Sequence, residues 1–177
     1  MSDIKKLAFS GVMCATASVL MLSANLFSGG LYLLAAGAGT VIYILYFTVG
    51  KKYALTAFAV VSVISFLFCM DREAFLSFVL LLGYYPLVKT AVDKLRYRLM
   101  RLLIKLSLFN AVLVSGYLIL TFVFSLPSDM TLFGVSLPAL FAVMYNAAFI
   151  IYDIALGLFY DKYGERVLNL VTKLLKK

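Results

Sequence analysis

The sequence predicts an all-α, polytopic membrane protein with six transmembrane helices. Of its 177 residues, 64% are hydrophobic and 14% are charged, and the mean hydropathy is +1.05; soluble domains carry about 25% charged residues. Six apolar runs follow one another, separated by turns or short charged loops, and about 20 apolar residues suffice to cross a ~30 Å hydrocarbon core. The basic residues also fall in alternate loops, as topogenic charges do.

The first three runs are separated by a glycine turn and by a pair of lysines: Leu7–Phe27, Leu31–Val49 and Tyr53–Met70. The first run is too long for the apolar core of a signal peptide, so it is predicted to be a retained helix. Its small residues Ser10, Cys14 and Ala17 lie on one line, with Gly11, Ala15 and Ser18 beside it. Such a face lets another helix approach closely, either within the chain or on a separate subunit. In the second run, the cluster Ala35–Gly39 predicts either the point of tightest packing or a thin wall beside a cavity.

The last three runs are Ala74–Val88, Leu102–Leu126 and Leu137–Tyr160. In the fourth, Pro86 should kink or shorten the helix, because proline lacks an N–H and clashes with the preceding turn. The longest loop on its side of the membrane is expected from Pro127 to Pro138. After Gly164, the tail 165–177 places Val167, Val171 and Leu174 on one face and basic residues elsewhere. It predicts a short amphipathic helix resting on anionic lipid.

Between the fourth and fifth helices, the stretch Pro86–Lys105 holds six of the 16 basic residues. Its leucines recur at spacings of three and four residues, and its basic residues recur at the same spacings about a quarter-turn around the helix axis. This pattern predicts an amphipathic helix at a water boundary. We call this stretch the basic elbow. Because moving such charge across a bilayer is costly, the elbow is predicted to be cytoplasmic. Both termini are also predicted to lie on the cytoplasmic side of the cell membrane. Of the basic residues, only Arg72 is then predicted to lie on the external side. One integral membrane domain, 1–177, is expected.

Three polar side chains are predicted within the membrane: Asn110, Asn146 and Asp153. Asp153 lies about seven residues, or ~10 Å, from the inner end of the sixth helix. An unpaired carboxylate there is costly, so we expect a partner in Lys105 or Lys89, whose stems are long enough to reach it. The pair would be structural, or coupled to a proton or ligand. The two asparagines come out at similar depth and could bond each other.

Catalytic and metal chemistry have no support in the sequence. Histidine is absent, and Cys14 and Cys69 lie apart in apolar runs, so no metal cluster or disulfide framework is indicated. There is no nucleophile–base set, no pair of intramembrane aspartates and no glycine-rich phosphate loop. We therefore expect no enzyme activity and no cofactor. The net charge of +8 is explained by topogenic loops, not by nucleic-acid binding.

In layout the chain resembles the substrate-binding S component of energy-coupling-factor transporters. The resemblance rests on the chain length, the six helices, the small-residue first helix and the basic inner loop. The stretch Ile64–Asp71, followed by a helix with Gly83 and the basic elbow, is also similar to MreD-type rod-shape proteins. The S-component resemblance implies capture of a vitamin-like small molecule and docking to a transmembrane coupling subunit with its ATPases. The very short loop after the first helix departs from that family.

Two functions therefore stay open. A ligand-capturing transporter subunit would use polar residues facing outward, with one asparagine deeper: Asn25, Tyr32, Asp71, Arg72, Glu73, Asp129 and Asn146. The residues expected to dock partners are Ala8, Gly11, Ala15, Ser18, Arg96, Arg98 and Arg101. An MreD-like scaffold would instead recruit cytoplasmic partners through the elbow and tail, without a ligand. A pocket lined by convergent polar groups favours the first function, and a filled bundle favours the second.

Overall fold

The computed structural model describes residues 3–26, 30–124, 131–132 and 135–176, with side chains for all of these except 73, 117, 119–124, 131–132, 135–141 and 174–176. Within these residues, six helices are long and apolar enough to cross a membrane. The predicted all-α class with six membrane-length helices is therefore confirmed. The six candidate spans are Asp3–Ser23, Leu31–Thr48, Lys51–Phe68, Ala74–Val92, Arg98–Gly116 and Ala142–Lys173.

The helices follow one another with short connections: α1 Asp3–Ser23, α2 Leu31–Thr48, α3 Lys51–Phe68, α4 Arg72–Ser77, a π-helix Phe78–Leu82, α5 Tyr85–Val92, α6 Arg98–Phe124 and α7 Leu137–Lys176. Two strands of two residues each precede α7, β1 Thr131–Leu132 and β2 Val135–Ser136, and they pair antiparallel with Thr131 opposite Ser136. The strands were not predicted, and the rest of the expected 127–138 loop lies mainly outside the described residues.

The chain forms two compact units, Met1–Ala91 with Leu156–Lys177, and Val92–Ala155. In the first unit, α1, α2 and α3 pack on one another around small side chains. Ala17, Ala35, Ala38 and Ala54 have no exposed surface, and Met21, Ile42 and Phe78 fill the space between them. Alanine lets helix backbones approach closely, which strengthens van der Waals packing where no water is present to drive association. Of the two interpretations of Ala35–Gly39, the burial of Ala35 and Ala38 supports tight packing.

The fourth span is interrupted, as expected from the presence of Pro86. The interruption begins several residues before the proline. Residues Phe78–Leu82 form a π-helix, and the N–H of Gly83 donates to the carbonyl of Phe78 at 2.7 Å. Pro86 has no N–H to give to the carbonyl four residues earlier, and its ring would clash there in a regular helix. A Cβ on Gly83 would lie 2.8 Å from the Phe78 carbonyl oxygen and 2.8 Å from the Phe58 ring. Only glycine fits this turn.

The basic elbow is a corner, not a continuous helix, so that prediction was wrong. The helix α5 ends at Val92, residues 93–97 form a turn, and α6 begins at Arg98. The turn is closed by the N–H of Leu95, which donates to the carbonyl of Val92 at 3.0 Å. A continuous helix would place Lys94 beside Arg98 at a spacing of four, where like charges repel. The chain instead reverses at Asp93, whose contacts are described below.

The helix α7 continues through Gly164, so the tail is an extension of the sixth helix and not a separate element. Gly164 and Val171 are buried and Val167 is half-buried, whereas Arg166 and Lys173 are exposed. The predicted amphipathic pattern of the tail is therefore present, although the side chain of Leu174 lies outside the described residues. In the same unit, the Tyr160 ring contacts Phe47 edge-on, with centroids 5.5 Å apart.

Candidate functional site

A buried lysine between two carboxylates is the main polar feature of the second unit. Lys105 lies in the second turn of α6 and is 6% exposed. Its Nζ lies 2.7 Å from Asp93 Oδ1, in the turn after α5, and 3.0 Å from both carboxylate oxygens of Asp153 on α7. The expected pairing of Asp153 with Lys105 is confirmed. Three separate segments thus converge on one ammonium group.

The geometry suits the chemistry of an ammonium group, which has three donors and no acceptor. A charge removed from water is costly unless it is paired and hydrogen-bonded, and here both requirements are met by carboxylates. The Arg101 guanidinium adds a bond from Nη1 to the carbonyl of Asp93 at 3.3 Å. Two bases of α6 therefore hold the turn residue Asp93 by its side chain and by its backbone. The arrangement fixes the corner to α6 and α6 to α7.

Sequence reasoning missed Asp93 because it assumed a continuous helix. Twelve residues separate Asp93 from Lys105, about 18 Å along a straight helix at 1.5 Å per residue. No side chain pair spans that distance. The reversal at residues 93–97 is what brings the carboxylate back to the second turn of α6. A signal was nevertheless present, since Asp93 is the one acidic residue in the stretch Pro86–Lys105.

Further along α6 and α7, Asn110 and Asn146 form a reciprocal pair. The Nδ2 of Asn110 donates to Oδ1 of Asn146 at 2.9 Å, and the reverse bond is 3.0 Å. Each amide also donates to the carbonyl four residues earlier in its own helix. Beside this pair, the ring of Phe109, which precedes Asn110, stacks on the ring of Phe149, three residues after Asn146, with centroids 4.2 Å apart. The predicted asparagine pair is confirmed, and its amides are used in joining the two helices.

Of the proposed rim residues, Asn25, Asp71 and Arg72 come together in the first unit, where they bind the backbone. Asn25 Nδ2 donates to the carbonyl of Phe68 at 3.2 Å, and its Oδ1 accepts from the Met70 N–H at 2.9 Å. Asp71 Oδ1 accepts from the N–H of Ala74 at 3.4 Å, which caps α4. Arg72 Nη1 donates to the carbonyl of Phe66 at 3.1 Å. These contacts hold the α3–α4 connection against the end of α1.

The remaining rim candidates are Tyr32, Glu73, Asp129 and Asn146. Tyr32 is 43% exposed at the start of α2. Asn146 belongs to the second unit, where it pairs with Asn110. Asp129 lies outside the described residues, as does the side chain of Glu73. Of the seven ligand candidates, Asn25, Asp71 and Arg72 thus bind backbone groups around the α3–α4 connection.

The small-residue face of α1 divides into an inner and an outer line. Ser10, Ala17 and Ser18 are buried in the first unit, whereas Ala8, Gly11 and Ala15 are exposed. A Cβ on Gly11 would meet no atom within 4 Å. The inner line therefore packs within the chain, as the first interpretation expected, and the outer line is exposed among the described residues. Docking of a separate subunit stays a prediction. Ser18, proposed for docking, belongs to the inner line.

At the corner, Arg96 and Arg98 are exposed and Arg101 is half-buried by its bond to Asp93. The expected partner-docking arginines thus divide in the same way, two outward and one inward. Cys69, at the end of α3, is 3% exposed, and its Sγ lies 3.5 Å from Asn25 Oδ1 and from the Asp71 carbonyl oxygen. Burial raises the pKa of the Cys69 thiol, opposed in part by the bond to Asp71.

Among the described residues, no three Cys, Asp or Glu side chains are grouped so that they could hold a metal ion. No protein-family model, curated protein or solved structure matches this chain. The resemblance to S components and to MreD-type proteins therefore rests on the layout of the sequence. The structure adds hydrogen-bonded contacts between helices. It also adds two exposed surfaces, the outer line of α1 and the corner between α5 and α6.

Proposed function

We propose that this chain is a non-enzymatic, small-molecule-binding membrane subunit of a transporter that is energised by partner subunits. The observation that carries the proposal is the uncovered outer line of α1. Ala8, Gly11 and Ala15 are exposed there. In a bilayer, small residues on an uncovered face allow the backbone of another helix to approach closely. This line matches the face through which S components are expected to dock on their coupling subunit.

The proposed topology places both termini and the corner at residues 93–97 on the cytoplasmic side of the cell membrane. Its support is the distribution of the 16 basic residues, because cytoplasmic loops carry an excess of lysine and arginine. The ligand would then enter from the opposite side, where Asn25, Asp71 and Arg72 meet. The coupling subunit would contact the membrane-spanning face of α1.

A non-enzymatic scaffold of MreD type is the second candidate, and a specific observation favours it. Asn25, Asp71 and Arg72 already bind backbone groups of the chain, so a ligand would have to compete with those bonds. The core of the first unit is filled by apolar side chains such as Met21, Ile42 and Phe78. In this function the exposed corner would recruit cytoplasmic partners, and no small molecule would be held.

Gentle purification followed by native mass spectrometry distinguishes the two functions. A retained small molecule, together with copurifying membrane and ATPase subunits, is expected for the transporter subunit. The variant Gly11→Leu should lose the membrane partner, because the added side chain keeps the two backbones apart. Val12→Leu, at an exposed and already large neighbour, is the matched control and should retain it. Recovery of cytoplasmic partners without a small molecule, unaffected by Gly11→Leu, would favour the scaffold.

A further inference from the structure

The corner between α5 and α6 presents bases and large apolar side chains together. Lys94, Arg96 and Arg98 are exposed. Between and beside them, Leu95 is 37%, Tyr97 65%, Leu99 70% and Met100 49% exposed. We call residues 94–100 the corner surface. Among the described residues, none of its three bases is in an ion pair. Such a surface is unusual for water contact alone, because it exposes a continuous run of large apolar groups.

The acidic residue of the corner is kept away from this surface. Asp93 accepts from Lys105 Nζ at 2.7 Å, and its carbonyl accepts from Arg101. Two bases of α6 are thus directed inward to Asp93, while three other bases point outward. This sorting leaves the outward charge positive. A carboxylate placed among Lys94, Arg96 and Arg98 would have cancelled part of their field.

The corner surface also adjoins a candidate membrane span. The span Arg98–Gly116 begins within it, and the next leucines of α6, Leu102 and Leu103, are 45% and 56% exposed. Apolar exposure therefore continues from the corner into the membrane-spanning part of α6. If α6 crosses a bilayer from Arg98, the bases would lie at the depth of the phospholipid headgroups, with tyrosine and leucine at the boundary of the acyl chains.

We infer that the corner surface binds the headgroups of anionic phospholipids. Lys94, Arg96 and Arg98 contact the phosphates, and guanidinium groups suit phosphate oxygens through paired N–H donors. Tyr97 and Leu99 insert at the acyl boundary. An acidic protein would supply negative charge but no hydrocarbon layer for the apolar residues, so a lipid surface fits both parts. The inference holds for either candidate function. Lipid binding at the corner would anchor the start of α6 in a leaflet that contains anionic lipid.

The test uses a fluorescent reporter, because the chain contains no tryptophan. The full-length Tyr97→Trp variant is reconstituted in vesicles of 80 mol% phosphatidylcholine and 20 mol% phosphatidylglycerol. Brominated acyl chains quench tryptophan on contact, and the bromine is placed either on phosphatidylglycerol or on phosphatidylcholine. The preference for phosphatidylglycerol is the ratio of quenching by the brominated phosphatidylglycerol to quenching by the brominated phosphatidylcholine, divided by the mole ratio of the two lipids. It should be severalfold above one. Raising the salt from 0.1 to 0.5 M should reduce that excess, since screening shortens the reach of exposed charges.

Variants in the reporter background identify the groups responsible. Replacing Arg96 and Arg98 by Gln should lower the preference for phosphatidylglycerol at least fivefold, because each base near an anionic surface contributes about 1 kcal/mol, a factor of about five. Replacing Lys51 and Lys52 by Gln removes the same charge from an exposed site elsewhere and should change it less than twofold. Asp93→Asn should also change it less than twofold, because that carboxylate faces Lys105.

Four outcomes would overturn the inference. Quenching of the reporter by both brominated lipids in proportion to their mole fractions would mean no lipid selectivity. An Arg96 and Arg98 double variant that kept the preference of the parent would move the binding elsewhere. A Lys51 and Lys52 control that lost as much as the corner variant would reduce the effect to net charge. Binding of an acidic protein to the corner in phosphatidylcholine alone would likewise contradict a lipid partner.

Discussion

The side-chain amides of Asn110 and Asn146 each donate to the oxygen of the other, at 2.9 and 3.0 Å, and so close a ring between α6 and α7. Bonds of this kind between membrane helices contribute about 0.6 to 2 kcal/mol. Each amide keeps its bond to its own helix when the partner is removed. The pair thus stabilises the contact between α6 and α7 modestly, and the protein should still fold without it.

We expect Asn110→Leu and Asn146→Leu each to lower the free energy of unfolding in detergent by about 1 kcal/mol. The double variant should cost less than the sum of the two, because the second change removes an amide that has already lost its partner. Ser115→Ala, which removes an exposed bond within α6, is the control and should have little effect. Additive losses would mean that the two amides do not interact in the folded protein.

Replacing Lys105 should be the most damaging change in the second unit. Lys105→Met removes the cation that Asp93 and Asp153 share. Removal of one partner from a fully buried pair costs about 3 to 5 kcal/mol, and a smaller loss is expected here because the two carboxylate side chains are 35% and 19% exposed and each has a further interaction. Asp153→Asn should cost less than Asp153→Leu, since the amide oxygen still accepts a bond from the ammonium. Thermal unfolding in detergent measures the order of the three variants.

The coupling between Lys105 and Asp153 has its own signature. The combination of Lys105→Met with Asp153→Leu should cost less than the sum of the single changes, because the lysine and the carboxylate lie 3.0 Å apart. If all these variants melted with the parent, the pair would be too well solvated to matter. If stability were unchanged but ligand uptake failed, Asp153 would belong to the transport mechanism.

Gly83→Ala should destabilise the first unit by about 1 to 3 kcal/mol through overpacking. The added methyl group would lie 2.8 Å from the Phe78 carbonyl oxygen, which belongs to the backbone and has little freedom to move. Gly11→Ala is the matched control, because its new methyl group meets no atom within 4 Å. Chemical denaturation of both variants compares them directly, and equal midpoints would contradict the tight turn.

Alkylation of Cys69 should be slow in the native protein and should quicken as the pH rises. Burial raises the pKa of this thiol, so less of the reactive thiolate is present near pH 8. The stability linked to the raised pKa is present below the unfolded value, about 8.5, and is lost as the pH passes the folded value. A variant with Cys69→Ser and Met70→Cys is the control, since Met70 is 88% exposed.

The alkylation rates are measured by mass spectrometry in a Cys14→Ser background, and the control should react at least tenfold faster at pH 8. Equal rates would mean that the α3–α4 connection opens readily in solution. The parent should also yield two free thiols on unfolding without reductant, because Cys14 and Cys69 are both free in the structure. A bridged pair would contradict it.

Topology reporters test the proposed orientation. Reporters placed after Lys52, at Ala91 and at the carboxyl terminus should be cytoplasmic, because the neighbouring loops carry most of the basic residues. Reporters at Gly29, Arg72 and Ser128 should be external. Charge reversal at Arg72 should leave the orientation unchanged and serves as the control. One reversed assignment would break the alternation on which the six-helix topology depends.

The contacts of Asp153 and of the two asparagines could be predicted because they depend on depth along regular helices. Each residue adds 1.5 Å, so polar groups at matching depth on neighbouring helices find each other. The contact of Asp93 with Lys105 could not be predicted in this way. It depends on a chain reversal at residues 93–97, whose leucine and arginine spacing also fits a helix. Local spacing does not reveal which bonds across a turn will form.

The division of the α1 face was also beyond the sequence. Gly11 and Ser18 are both small and lie seven residues apart, on one line of the helix in the sequence pattern, yet Gly11 is exposed and Ser18 is only 7% exposed. Which line packs inward depends on the shapes of α2 and α3, and those shapes cannot be inferred from the sequence of α1. The polar rim residues posed a similar problem, since Asn25 was as suitable for a loop contact as for a ligand.

The π-helix at Phe78–Leu82 makes the fourth span sensitive to chain length as well as to residue type. One residue corresponds to about 100° of helix rotation. A π-turn takes in about one residue more than an α-turn over nearly the same rotation. Regular α-helical winding of the same residues Phe78–Leu82 would therefore turn every later position of the span by about a quarter of a circle. Lys89, which is 5% exposed, would leave its present surroundings, and Pro86 would meet a different carbonyl. Relatives of this chain that wind this turn as a regular α-helix should therefore be one residue shorter within it.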